Sequence, residues 1–371
     1  MPIREISLIL YMSLFMSHQP ISPVLLDDAQ SIQHASWVHA EAFADSNVSS
    51  TSVTISAAGD VTIGSDDSFG YYGTFHHEVD ESGLEHFGKN VKAIFEQDDL
   101  TIVNLETTLT ESTQKAEKTF RFSGKPEYTE ILNMSGMEAV NLANNHTYDF
   151  LEQGYIDTLN NLDDYGVASF GYDRLFIEEI NGMKVGAFGL EGWQDSAETR
   201  SQVEEAIAQL KEQGAQIIIA NYHWGVERQY HPTESQRTLA QFTIDQGADL
   251  VLGHHPHVVQ GIEEYKGKYI VYSLGNFMFG GNRNPDDKDT FIFQQTFHFS
   301  FNQLTDKQDI HIIPASISSV TERNNYQPTP LEGEEADRVL NKILKLSNEI
   351  PENEFSYKKD RSEEAVPVTT G

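Results

Sequence analysis

Five short, continuously apolar runs punctuate the chain, and each ends in a residue able to ligate a metal. Val53–Ala58 leads into Gly59-Asp60, and Leu100–Leu105 leads into Glu106. Glu138–Ala143 leads into Asn144-Asn145-His146, and Ile217–Asn221 into Tyr222-His223. Asp249–Leu252 leads into Gly253-His254-His255-Pro256-His257. Runs of this length without polar alternation suit strands covered on both faces. In open α/β sheets the carboxyl ends of the strands form the ligand crevice. Five successive strand ends would therefore deliver oxygen and nitrogen ligands to one edge.

Helix-length segments separate the runs at Glu85–Gln97, Leu151–Leu162, Arg200–Gln213 and Glu234–Gln246. In the last, Leu239, Phe242 and Gln246 recur at helical spacing and Gly247 supplies a stop. Alternation of strand and helix predicts an α/β fold. Two hairpins are expected, Phe176–Ile180 with Lys184–Leu190 across Asn181-Gly182, and Val258–Glu263 with Tyr269–Ser273 across Tyr265–Lys268. Phe291–Phe301 and Asp309–Ile317 read as late antiparallel strands, followed by a helix over Glu334–Leu346. No internal repeat is evident. The expected organisation is a poorly ordered leader over 1–50, a domain over 52–320, and a helix with a polar tail over 321–371.

Composition narrows the chemistry. With 25 Lys+Arg against 57 Asp+Glu, the formal charge is −32. Such a surface repels nucleic acid and anionic lipid, so neither is an expected partner, although acidity also serves plain solubility. The chain has no cysteine, which excludes disulfides, thiolate metal sites and a cysteine nucleophile. The apolar run Ile6–Met16 is too short to span a bilayer and suits the core of an export signal, or else an uncleaved leader. Ala42-Phe43-Ala44 has the form of a cleavage site but lies far downstream of that run.

Each ligand-bearing segment admits a bland reading alone. Gly59-Asp60 is a common turn, and His223 beside Trp224 could be a satisfied, half-buried histidine. Gly253-His254-His255-Pro256-His257, with three histidines in four positions, is the strongest local signal. Together the segments offer enough ligands for two divalent cations, which require about five to seven, one of them a bridging carboxylate. Imidazole, carboxylate and amide oxygen favour Mn, Fe or Zn over soft metals. Arg121 and Arg228 are candidate anion contacts, or ordinary surface ion pairs. Ser273-Leu274-Gly275-Asn276 is not a nucleophile elbow, and Gly280-Gly281 opens no helix after a strand. Asp66-Asp67 and Asp286-Asp287 lack the spacing of a calcium loop.

Six segments in order carry a resemblance: Gly59-Asp60-Val61-Thr62-Ile63-Gly64, Asn104-Leu105-Glu106, Asn141-Leu142-Ala143-Asn144-Asn145-His146 with Asp149, His223-Trp224-Gly225-Val226-Glu227, Gly253–Val258 and Ser273-Leu274-Gly275-Asn276-Phe277. In these the chain resembles the CapA family of poly-γ-glutamate capsule biosynthesis proteins, within the calcineurin-like metallophosphoesterase superfamily, over about residues 52–280. The resemblance implies a four-layer α/β sandwich with two packed sheets and a metal pair at its edge. It implies Asp60, Glu106, Asn145, His223, His254 and His257 as metal ligands, with Glu106 bridging and His146 as proton donor or phosphate contact. His255, off the family pattern, would orient the site or face the ligand. Thr62 stands where the wider superfamily places a histidine, so one site has one imidazole fewer.

Three functions are consistent with this: metal-assisted hydrolysis of a phosphoester, a non-catalytic accessory role in a capsule polymer synthase or exporter, and hydrolysis of γ-glutamyl polymer. The expected ligand is an anionic polymer or phosphoester, the expected partners are membrane subunits of a capsule synthase, and the expected location is outside the bacterial cytoplasm.

Overall fold

The computed structural model describes residues 50–353 and 355–357. The Ile6–Met16 run, the Ala42–Ala44 site and the tail beyond residue 357 lie outside the described residues.

Two sheets build the body. One runs in the order Thr329–Pro330, Gln303–Ser316, Asp289–Ser300, Ser50–Thr62, Leu100–Leu105, Ala139–Asn141 and Ala168–Phe170, with Asn276–Phe279 also pairing Ser50–Thr62. The other runs Ile262–Tyr265, Lys268–Val271, Leu250–His254, Ile217–His223, Met183–Glu191 and Phe176–Ile180. Val53, Ile55 and Ile102 of the first sheet share one buried cluster with Ile217, Ile219 and Leu252 of the second. The opposite face of the first sheet, through Val61, Val103 and Val140, packs against helical residues such as Phe87, Ile131 and Leu162. The outer face of the second, through Ile218, Ala220 and Val251, packs against Val203, Ile207 and Leu239 of the helices Ala197–Glu212 and Glu234–Gln246. The layers are therefore helix, sheet, sheet, helix, and the apolar runs are unalternating because both faces of each strand are covered.

Strand register sets the position of the ligands. In the first sheet Asp60 lies opposite Asn104 and Asn104 opposite Asn141, all in parallel pairing. In the second, His223 lies between Glu191 and His254, again in parallel pairing. Parallel strands that start level also finish level, so every ligand emerges at one edge.

Several elements differ from the sequence expectation. The segment Glu85–Gln97 is not one helix but two single turns, Glu85–Gly88 and Lys92–Phe95. Gly88 ends the first turn where a Cβ would meet Ser135 Oγ of the neighbouring helix Thr129–Ser135. The helices Phe75–Ser82 and Thr129–Ser135 add to those expected. The first strand extends over Ser50–Thr62 because Asp289–Ser300 pairs with its polar first half. The hairpin Phe176–Ile180 with Met183–Glu191 forms as expected, while Ile262–Tyr265 with Lys268–Val271 is shorter than expected. The late helix, Gly333–Asn348, packs Val339, Leu340 and Ile343 into the cluster between the sheets, so the packed body extends through it. No helix among the described residues is long and apolar enough to cross a membrane.

Candidate metal centre

Asp60 and Glu106, both fully buried, are the anionic centre of the crevice. Asp60 Oδ1 lies 3.4 Å from His254 Nδ1, and Asp60 Oδ2 lies 3.3 Å from His257 Nδ1. Glu106 Oε1 lies 3.5 Å from His223 Nε2 and 3.9 Å from both His146 Nε2 and His257 Nε2. His223 Nε2 also meets Asn145 Oδ1 at 2.7 Å. The residues inferred from the sequence as metal ligands thus converge, from both sheets, on one place.

His255 is closer to the centre than the sequence pattern implied. Ligand atoms of Glu106, His255 and His257 all lie within 4.8 Å of one another, near enough to share one ion. His255 and His257 have φ of 93° and 56°. A bulky residue adopts positive φ at a cost, and here it aims neighbouring imidazoles into one crevice.

Burial dominates the electrostatics of the crevice. Burial pushes the Glu106 carboxyl well above the usual range, only partly opposed by His257 and reinforced by the Asp60 and Asp149 charges. Burial would raise Asp60 too, but the close approach of the His254 and His257 imidazoles holds it well below. Burial keeps His223 and His146 below the ordinary imidazole value, and His255 falls to about 4. Neutral imidazoles of this kind present lone pairs. His257 behaves oppositely: burial would lower it, but Glu106 and Asp60 raise it to about 9.

Unpartnered atoms test whether a metal fits. Both Glu106 oxygens, both His254 ring nitrogens and His255 Nδ1 are buried without a hydrogen-bond partner. Orphaned buried polar atoms cost free energy, so a cluster of them calls for a ligand. Divalent cations fit this donor set of carboxylate, imidazole and amide oxygen.

Residues beyond the inferred ligands hold them in place. Asn104 Nδ2 donates to Asp60 Oδ1 at 2.9 Å, while Asn141 and Asn144 donate to Asn104 Oδ1. Asn276 Oδ1 meets His257 Nδ1 at 2.9 Å. Asp149 Oδ2 meets His146 Nδ1 at 2.7 Å, which leaves Nε2 facing Glu106. Trp193, 41% exposed, stands edge-on to His223 and His255, held by its indole N–H on Glu191. Asn104, Asn276 and Asp149 lie within the family-like segments, but nothing in their spacing assigns them a supporting role; Trp193 carries no sequence signal. The two arginines are placed differently. Arg121 turns its guanidinium towards the Ala116 carbonyl at 3.4 Å. Arg228 is exposed, and its backbone N–H donates to the Pro256 carbonyl.

Helix, sheet, sheet and helix layers with carboxylates and imidazoles at the strand ends define a four-layer α/β sandwich with a polar crevice at one edge. A family model described as "Bacterial capsule synthesis protein PGA_cap" matches residues 54–281, and the chain belongs to that family. It is 31% identical over 231 residues to "PGA biosynthesis protein CapA" of Bacillus subtilis, covering 56% of this chain and 61% of the relative. It is 30% identical over 244 residues to "Capsule biosynthesis protein CapA" of Bacillus anthracis, covering 56% and 57%. The match thus spans about three-fifths of the length of these relatives. Among solved structures, a phosphatase from Mycoplasma pneumoniae aligns with a TM-score of 0.45 at 15% identity, over 71% of this chain and 94% of that one. A hypothetical protein from Thermus thermophilus aligns with a TM-score of 0.44 at 16% identity, over 71% and 99%.

Proposed function

We propose that the chain is a metal-dependent hydrolase of phosphoesterase type acting in capsule or poly-γ-glutamate assembly outside the cytoplasm. The observation that carries the reading is the convergence of buried, unpartnered carboxylate and imidazole atoms from both sheets at one edge. Asp60, Glu106, Asn145, His223, His254 and His257 would hold two divalent ions of Mn, Fe or Zn, with His255 close enough to join or shield them. Such ions supply Lewis-acid charge to an anionic ester. His146, its Nδ1 tied to Asp149, presents Nε2 to the crevice and is the group placed to hand a proton to a leaving oxygen. Trp193 stands edge-on to His223 and His255 and forms one wall of the crevice. The capsule-synthesis role of the relatives supports an extracytoplasmic site of action and membrane synthase subunits as partners.

A second reading, a metal-containing accessory subunit without turnover, is favoured by Thr62. It is fully buried where the superfamily has an imidazole, and its hydroxyl has no partner. Elemental analysis after reconstitution, combined with turnover of p-nitrophenyl phosphate, separates the readings. Metal with turnover supports the hydrolase, metal without turnover on any phosphoester supports the accessory role, and no bound metal defeats both. Shortening of poly-γ-glutamate chains would instead identify a γ-amide hydrolase.

A further inference from the structure

Residues 111–119 cross beside the centre without regular secondary structure, and this segment carries a cation that the family-like segments do not include. Lys118 Nζ donates to Asp149 Oδ1 at 2.6 Å and to the Asn145 carbonyl at 2.7 Å, and lies 3.4 Å from His146 Nδ1. Asp149 is completely buried, whereas the lysine side chain is 29% exposed. The same stretch of chain reaches Asp149 twice more. The Ala116 N–H donates to its backbone carbonyl at 3.0 Å, and the Phe122 N–H donates to Oδ2 at 2.6 Å. Asp149 is thus the post to which the crossing segment is tied, and Lys118 is the charged tie.

We propose that Lys118 is a positioning residue of the metal centre, one ammonium that fixes both the peptide of Asn145 and the carboxylate that orients His146. The inference rests on the metal reading above. An ammonium has three N–H donors on a flexible stem and can grip two acceptors in different directions. Asn145 presents its side-chain oxygen to His223 at 2.7 Å while its own carbonyl is held by Lys118, so the amide ligand is restrained at its backbone. On the other side, Asp149 shares its two oxygens among Lys118, His146 and the Phe122 N–H. Groups that orient metal ligands typically change metal affinity about 10–100-fold when removed. If Lys118 were only a counter-ion for Asp149, its loss would lower stability and leave metal binding alone.

The absence of cysteine makes a clean test available. In the full chain, K118C introduces a single thiol, which 2-bromoethylamine converts to a lysine-like thioether and iodoacetamide to a neutral cap. Titration with Co2+ reads both affinity and, through visible absorption, the ligand geometry. K118M, K118C and the neutral-capped form should bind Co2+ at least about tenfold more weakly than wild type, with altered absorption, whereas the aminoethylated form should return to within about threefold. Wild-type affinity and spectrum in K118M would overturn the proposal, whatever happens to its melting temperature. If the neutral variants fail to fold, K118R carries the test. Its planar fork cannot place one nitrogen on both acceptors, so its Co2+ spectrum should change, and an unchanged spectrum overturns the inference. A wild-type protein that binds no Co2+ would instead remove the metal reading, and this inference with it.

Discussion

Glu106 is buried with neither oxygen hydrogen-bonded, while His146, His223 and His257 all approach Oε1 within 3.9 Å. A carboxyl in that position has imidazoles nearby but no hydrogen bond of its own, and a bound cation would supply the missing partner. Glu106→Gln, nearly isosteric but neutral, should therefore lose most bound metal. His255→Ala should lose less, because its ring has only Nδ1 unpartnered in the interior, whereas both Glu106 oxygens are. Metal content per chain after reconstitution with Mn, Fe or Zn checks the ranking, and equal losses would show that Glu106 has no special place. At this scale the sequence is informative where residue type is restrictive. Histidines and a carboxylate after apolar runs signal ligands, but an asparagine such as Asn104 or Asn276 looks like any loop amide until its partner is seen. Lys118 gives no signal at all, since what it ties together lies 27 and 31 residues away.

Elements behave more predictably when their apolar pattern is long. The helix Gly333–Asn348 buries Val339, Leu340 and Ile343 against strands of both sheets. Ile343→Ala should cost about 2–5 kcal/mol in urea unfolding, through lost burial and the cavity left behind. A loss near zero would mean that the helix is not part of the cooperative body. Asp98, just before the strand Leu100–Leu105, is a second case. Burial raises its carboxyl to about 7, against hydrogen bonds that include one from the Thr101 hydroxyl. Because the folded value lies above the unfolded one, its contribution is full below the unfolded pKa, about 4. That contribution is lost as pH rises through about 7. Wild type should therefore lose more stability between pH 5 and pH 8 than Asp98→Asn does. Urea midpoints at the two pH values check the sign, and parallel curves would mean that Asp98 does not titrate this way. The Glu85–Gln97 expectation failed on length, since the segment folds as two single turns, Glu85–Gly88 and Lys92–Phe95, that helical spacing alone does not distinguish from one helix.

For the molecule as a whole, charge and site oppose one another. A formal charge of −32 repels an anionic ligand at distance, but screening confines that repulsion to roughly 8 Å at physiological salt. Inside that range the divalent cations proposed above would dominate the field. Binding of poly-γ-glutamate or a phosphate ester should vanish with chelator and, while weak, strengthen with added salt. Binding that survives chelation and weakens with salt would mean that a basic patch recruits the ligand, and Arg121 and Arg228 would return as candidates.

Residue order alone was enough to establish the α/β class, the five buried strands and the carboxylates, amides and imidazoles that follow them, because each depends on periodicity or residue type within a few neighbours. The approach of His255 to Glu106, the amide support around Asp60 and the tie from Lys118 to Asp149 required the folded chain. These contacts join residues far apart in sequence, and their distances are set by strand register and by two sheets packing face to face. Local pattern carries no information on either.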